Sequence, residues 1–333
     1  MNIINSLHVG GAERNLLRLT RLLVDQGLTC DIATLRSGGE LEMDARAMTR
    51  LYRWPNPRLP AYDIVMGRMY AGAVAASIEG RRAQVIWNIR HLPEHLNTES
   101  LTTRLALKLL SRFKPQAIVT NAHAAIAAHQ KLNLSCESWK VIPNAVDSRM
   151  FVRFPHAREA LRIDEGSLVF LQVARVHPHK GNEQLVAAFN DLGAQGQAHL
   201  VLVGEGTRVF SNGTHIHGVG IKDHVVDYFS AADVLINPSL SESSPTVVRE
   251  AMCCELPCIV TPVGDAQELV GDTGFCVPGE RAALTAIMAK VLTMDRSDLR
   301  HLGVQARARV CTRMDETTMV DAYLSLFETL AAH

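Results

Sequence analysis

The sequence predicts an α/β protein built of two doubly wound, Rossmann-like domains, and three observations carry that prediction. Short apolar runs of strand length alternate with longer amphipathic stretches along the chain. The 333 residues, 47% of them hydrophobic, suffice for two ordinary cores. The glycine-rich and charged segments described below each lie just after a strand-like run, where open parallel sheets bind their ligands.

In the first half, Asn2–Leu7 reads as a strand and Gly10-Gly11 as the turn after it. Glu13–Gln26 carries Leu16, Leu17, Leu19, Leu22 and Leu23 at helical spacing with arginines between them. Cys30–Leu35, Ile64–Met66, Gln84–Ile89 and Gln116–Thr120 read as further strands, and Val141-Ile142 as one that stops at Pro143. A link with few regular signals runs to about Ile163. Strands at Leu168–Val173, His199–Val203, His215–His217, Val234–Ile236, Cys258–Val260 and Gly274–Val277, separated by helical stretches, make the second half. The expected domains are 1–160 and 161–312, with a C-terminal helix in 313–333 whose periodic part spans about Glu316–Leu330.

Formal net charge is zero, which argues against a general nucleic-acid binder. The balance is uneven, because residues 1–150 carry 19 Lys and Arg against 12 Asp and Glu. Only that half is suited to an anionic partner. Seven cysteines with no paired C-x-x-C predict reduced core thiols in a cytoplasmic protein. No metal site is expected from Cys253, Cys254 and Cys258, nor from the H-x-H pairs His177/His179 and His215/His217, and no cofactor is expected. The first residues do not read as a signal peptide, and no apolar run approaches the ~18 residues of a membrane span.

The most informative segment is Ser241-Glu242-Ser243-Ser244-Pro245-Thr246-Val247-Val248-Arg249-Glu250. Ser244 suits an N-cap and Pro245 the first helical position, so Glu242 falls in a strand-to-helix loop and Glu250 on the helix. The free N–H groups of Thr246 and Val247 would then form an anion site between the two carboxylates. A sugar, a phosphate and a ribose fit such an arrangement. Arg175 and Lys180 flank a loop after another strand; they are either solvated surface cations or a diphosphate clamp.

This stretch resembles the E-x7-E motif of retaining glycosyltransferase family 4, which has the GT-B fold of two Rossmann-like domains facing a central cleft. Val9-Gly10-Gly11-Ala12-Glu13 resembles that family's N-terminal glycine loop, and Val141–Asp147 its interdomain signature, with Ala145 where glycine is usual. Ala174–Gly181, Gly204-Glu205-Gly206 and Thr261–Val270 follow in the family's order. The resemblance implies that Arg175 and Lys180 hold the diphosphate, that Glu250 accepts from the ribose, and that Glu242 positions and stabilises the donor sugar. It implies substrate contacts for Gly10, Gly11, Ser244, Pro245, Thr246, Val247, Gly218 and Val219. It also implies that His91 touches the donor sugar, where a structural histidine is the other reading. Two positions depart from the pattern: Ser243 replaces a usual glycine, and Glu255 stands where a helix-ending glycine is usual, which predicts φ > 0 there.

The expected function is metal-independent transfer of a hexose or N-acetylhexosamine, with UDP as the expected nucleotide, to a glycan or polyprenyl-linked glycan. Bacterial surface polysaccharide, including lipopolysaccharide, is the implied setting. The alternatives are a nucleotide-sugar-binding protein without catalysis and a nucleotide-sugar epimerase. Leu101–Lys114 carries Arg104, Lys108 and Arg112 among Leu101, Leu105, Leu109, Leu110 and Phe113. That pattern reads either as a core helix with a solvated basic stripe, or as a helix lying on anionic lipid at the inner face of the cytoplasmic membrane.

Overall fold

The computed structural model describes residues 1–93, 99–152, 158, 163–164, 166–194 and 196–331. The chain divides into two compact units, one of Met1–Ala145 with Glu316–His333 and one of Val146–Asp315. The division falls before the boundary expected near 160. Val146 already belongs to the second core, and its N–H donates to Met314 O at 3.1 Å. Part of the link expected up to Ile163, and the last two residues of the expected 313–333 segment, lie outside the described residues.

Unit 1 holds a seven-stranded parallel sheet of β1 (Asn2–Ile4), β2 (Ile32–Thr34), β3 (Leu51–Arg53), β4 (Ile64–Arg68), β5 (Gln84–Asn88), β6 (Ala117–Thr120) and β7 (Trp139–Val141), in the order β3-β2-β1-β4-β5-β6-β7. Unit 2 holds a six-stranded parallel sheet of β8 (Leu168–Val173), β9 (Ala198–Val203), β10 (Ile216–Gly220), β11 (Val234–Asn237), β12 (Cys258–Val260) and β13 (Phe275–Cys276), in the order β10-β9-β8-β11-β12-β13. Each order reverses beside its first strand, at β1/β4 and at β8/β11. Such reversals open a crevice at the carboxyl ends of the strands, where α/β sheets bind ligands. The central strands of both sheets are buried on both faces, so they read as continuous apolar runs.

Helix α1 (Gly11–Asp25) buries Leu16, Leu17, Leu19 and Leu23, as its leucine spacing predicts. Between α1 and the C-terminal helix lie α2 (Glu42–Met48), α3 (Met69–Glu79), α4 (Leu101–Leu110) and α5 (His123–Lys131) in unit 1. Unit 2 adds α6 (Asn182–Leu192), α7 (Val226–Ala231), α8 (Thr246–Cys253), α9 (Ala266–Val270), α10 (Arg281–Leu292) and α11 (Arg296–Arg313). The last helix, α12 (Glu316–Ala331), packs Met319, Val320, Tyr323 and Leu326 into the core formed by Leu19, Leu23, Met66, Ile86 and Val119.

A polar network is built into this core. Arg90 donates through Nε to Asn88 Oδ1 at 2.7 Å, and also to the Tyr323 hydroxyl and Asn144. Asn88 Nδ2 donates to the same hydroxyl at 2.6 Å. Arg68, 2% exposed, donates to Asn2 at 3.2 Å and Asn15 at 3.3 Å. Among the described residues, Arg68 Nη2 has no hydrogen-bond partner.

Glu255 adopts φ 59°, as the missing helix-ending glycine predicts. A side chain in that region costs about 1–2 kcal/mol, part of which glycine's extra unfolded-state freedom would offset. Glu255→Gly should therefore stabilise the chain by about 1 kcal/mol, seen as a rise in Tm of roughly 2–4 °C. An unchanged or lower Tm would show that the Glu255 side chain itself supplies that energy.

Candidate functional site

The site in unit 2 forms where β8 and β11 diverge. A short 3-10 turn, Pro178–Lys180, follows β8, and His177 caps it by accepting from the His179 N–H at 3.2 Å. Beneath the turn, Gln172 Nε2 donates to Lys180 O at 2.9 Å, and Asn182 Nδ2 donates to Gln172 Oε1 at 3.0 Å. Gly181 is required here: its φ is 66°, and a Cβ would lie 2.4 Å from Pro238 O. The buried amides and this close approach fix the direction of the Lys180 side chain.

Across the crevice, the loop after β11 brings Glu242 to Lys180, and the two form an ion pair with both groups largely shielded from water. Ser239 Oγ lies 3.1 Å from Glu242 Oε1 and 3.1 Å from Asn237 Oδ1. Asn237 is buried, and its amide Nδ2 has no hydrogen-bond partner among the described residues. A buried donor without an acceptor costs about 1–3 kcal/mol, and an oxygen entering the crevice would remove that cost. Gly264, at φ 54°, lets the following loop close on the carbonyls of Glu242 and Ser243, each 2.2 Å from where a Cβ would stand.

Helix α8 starts one residue later than the sequence predicts. Pro245 is its N-cap and Thr246 its first residue, so Ser244 is not the cap. The reason is Arg249, fully buried inside the motif: it donates to Ser244 Oγ at 2.6 Å, Ser244 O at 3.1 Å and Thr246 Oγ1 at 3.2 Å. A guanidinium thus takes the serine that was to cap the helix. Pro245, the N-cap of α8, offers no capping side chain to the first amides, those of Thr246 and Val247. Glu250 is half-buried on the same helix.

Arg175 is exposed and makes no side-chain hydrogen bond or ion pair with the described residues. Gly218 and Val219 lie inside β10, which continues past the expected end at His217 to Gly220. His199 joins His215 and His217 on this sheet edge, with His199 Nδ1 2.9 Å from His217 Nε2. Burial and the neighbouring imidazoles lower the pKa of both His199 and His217. Among the described residues no group of three His, Cys, Asp or Glu is arranged to hold a metal, and all seven cysteines are free thiols.

The remaining expected residues belong to unit 1. Gly10 precedes α1 as its N-cap, and a Cβ at Gly11 would meet nothing within 4 Å, so the chain itself does not demand that glycine. His91 is buried, with its ring edge-on to Tyr70 at a centroid distance of 4.4 Å. The residues missed from the sequence are Arg249, Asn237, Ser239 and Gln172. A charged residue on the buried side of a helix is the one signal that pointed to any of them.

The Glycosyl transferases group 1 family matches residues 167–294, which contain Arg175, Lys180, Glu242 and Glu250. The matched segment lies wholly within unit 2. Among curated proteins, the chain is 25% identical over 239 residues to N-acetyl-alpha-D-glucosaminyl L-malate synthase of Bacillus anthracis, covering 67% of this chain and 62% of that one. It is 28% identical over 206 residues to the putative teichuronic acid biosynthesis glycosyltransferase TuaC of Bacillus subtilis, covering 59% and 52%. The chain thus spans about half to three fifths of those relatives' own lengths. Among solved structures, Anabaena Alr3699/HepE in complex with UDP and glucose superposes with a TM-score of 0.82 at 20% identity, over 99% of this chain and 100% of that one. Sucrose-phosphate synthase from Thermosynechococcus elongatus superposes with a TM-score of 0.83 at 20% identity, over 99% and 98%. The fold of the chain is GT-B.

Proposed function

We propose that this chain is a retaining glycosyltransferase that moves a hexose or N-acetylhexosamine from a nucleotide-sugar, UDP-linked by preference, to a glycan or polyprenyl-linked glycan. The Lys180–Glu242 pair at the strand-order reversal carries the reading, because it joins a phosphate-binding cation to a sugar-facing carboxylate. Anabaena HepE, solved with UDP and glucose, supports the choice of nucleotide. TuaC, a putative teichuronic acid enzyme, supports surface polysaccharide as the setting.

In this reading Arg175 and Lys180 hold the diphosphate over the first amides of α8, and Glu250 accepts from the ribose. The incoming diphosphate takes over the Lys180 ammonium and releases Glu242 to the sugar hydroxyls. The bond from the anomeric carbon to the diphosphate oxygen breaks, and its electron pair leaves with that oxygen. The acceptor oxygen bonds on the same face and passes its proton to the departing phosphate. Two fixed cations and a helix start then neutralise the leaving group without a metal. The enzyme works at the cytoplasmic face of the membrane, where Arg104, Lys108 and Arg112 meet anionic headgroups.

A thermal-shift panel of UDP-, GDP- and ADP-sugars tests the donor, since ligand at 100 times its Kd stabilises by about 2.7 kcal/mol. Glu250→Gln should mainly weaken donor binding, and Glu242→Ala should mainly lower kcat, with chelator leaving both unchanged. The reverse pattern would exchange the two roles. Stabilisation by a donor with no transfer to any glycan would leave a binding protein, and an epimerised free nucleotide-sugar would make it an epimerase.

A further inference from the structure

Helix α4 presents an unusual face to solvent. Leu101 is 67% exposed, Leu105 60%, Leu109 65% and Phe113, in the turn after the helix, 76%. They recur every fourth residue and so form one continuous stripe along the helix surface. The sequence reading that made these leucines core does not hold, because the helix docks through its other side. Leu107 is fully buried there and Leu110 partly so. Arg104, Lys108 and Arg112 each precede a stripe residue by one position, which places a basic row along the stripe's flank. Residues 101–114 contain no Asp or Glu. Beyond Phe113, a hollow of about 810 Å³ opens between Arg112, Lys140 and the apolar side chains Leu326 and Leu330, with Glu137 also on its wall.

We infer that this face of α4 is a membrane-inserting surface, in which Leu101, Leu105, Leu109 and Phe113 enter the acyl boundary of an anionic bilayer while Arg104, Lys108 and Arg112 bind its phosphate headgroups. This rests on the membrane part of the function proposed above and changes its physics from surface attraction to insertion. The charge favours lipid over a second protein, because a basic row without any acid repels a copy of itself, whereas headgroup phosphates match it. An apolar stripe beside a basic row is the pattern of a helix lying in the interfacial plane, its apolar side a few ångströms below the phosphates. A purely electrostatic contact would be released by salt; an inserted stripe is not.

The test is flotation of the full chain with vesicles of phosphatidylcholine alone or mixed with phosphatidylglycerol, at low and high salt. The wild type should float with the anionic vesicles and stay substantially bound at high salt. Leu105→Ser with Leu109→Ser should lower partitioning on the order of tenfold per leucine, at either salt level. Changing Arg104, Lys108 and Arg112 together to Gln should remove the preference for anionic lipid. These positions are exposed, apart from half-buried Arg104, so donor-induced thermal stabilisation should be unchanged in both variants, which separates this inference from the donor assignment. Flotation of the leucine variant equal to wild type would overturn insertion. So would sedimentation of the wild type as a dimer that the leucine changes dissociate without any vesicle binding.

Discussion

On the proposed assignment of Lys180 to the diphosphate, Lys180→Ala should lower turnover by about 10²-fold or more while the chain stays folded, because a preorganised charge is lost from the departing group. Arg175→Ala should cost a similar factor for the same reason, yet the two variants differ in the free protein. Arg175 makes no side-chain bond there, so its loss should leave the melting temperature unchanged. Lys180 pairs with Glu242, so its loss strands a carboxylate beside Ser239 that water only partly reaches. Lys180→Ala should therefore also reduce stability slightly, and Glu242→Gln should not rescue its turnover. Steady-state kinetics beside calorimetry reads both effects. Near-normal kcat in either alanine variant would remove the diphosphate assignment.

Tyr323→Phe should destabilise unit 1 by about 2–3 kcal/mol, since it leaves a buried guanidinium and a buried amide without their shared acceptor. A fall in Tm of roughly 5–10 °C would report it. The loss should also depend on pH. Burial alone would raise the Tyr323 hydroxyl, but the charges of Arg90 and Arg68 outweigh burial and hold it below the ordinary tyrosine range. A group whose pKa is lowered on folding adds stability that is complete above its unfolded pKa of about 10 and is lost as pH falls through the folded value. The gap between wild type and Tyr323→Phe should widen as pH rises through the alkaline range. Tyr62, Tyr70 and Cys30 titrate in both proteins and cancel in the difference, whereas Arg68, lowered by burial to about 10 and raised by the Tyr323 charge, does not cancel and caps the gap where it loses its proton. A gap independent of pH would mean that the hydroxyl stays protonated and acts only as a neutral acceptor.

What could be read from the sequence follows a physical division. Strands buried on both faces announce themselves as apolar runs, which is why β8 and β12 begin and end where expected. β3 did not, because two half-buried residues and the exposed Arg53 at a sheet edge carry no such run. The positions of Lys180 and Glu242 after their strands were legible, but their pairing was not, since it depends on strand order rather than spacing. Ser244 looked like a cap on local rules alone; Arg249, five residues on, redirected it through a contact that no helix-start preference encodes. For the α4 leucines the sequence left two readings open, a core helix and a surface helix, and only their exposure disfavours the first. Amphipathic spacing shows that a helix has an apolar face, and it does not show what that face meets.

Unit 1 is assembled from both ends of the chain, so the order of synthesis bears on how it is made. A ribosome adds about 5–20 residues per second, so Val146–Asp315 take roughly ten to thirty seconds to follow Ala145. During that interval Leu19, Leu23, Met66, Ile86 and Val119 have no α12 to cover them. The half that is translated first is the last to be finished, and unit 2 can close while its neighbour still waits. In mid-translation the nascent chain therefore carries an unfinished apolar core in unit 1, the condition in which aggregation competes with folding.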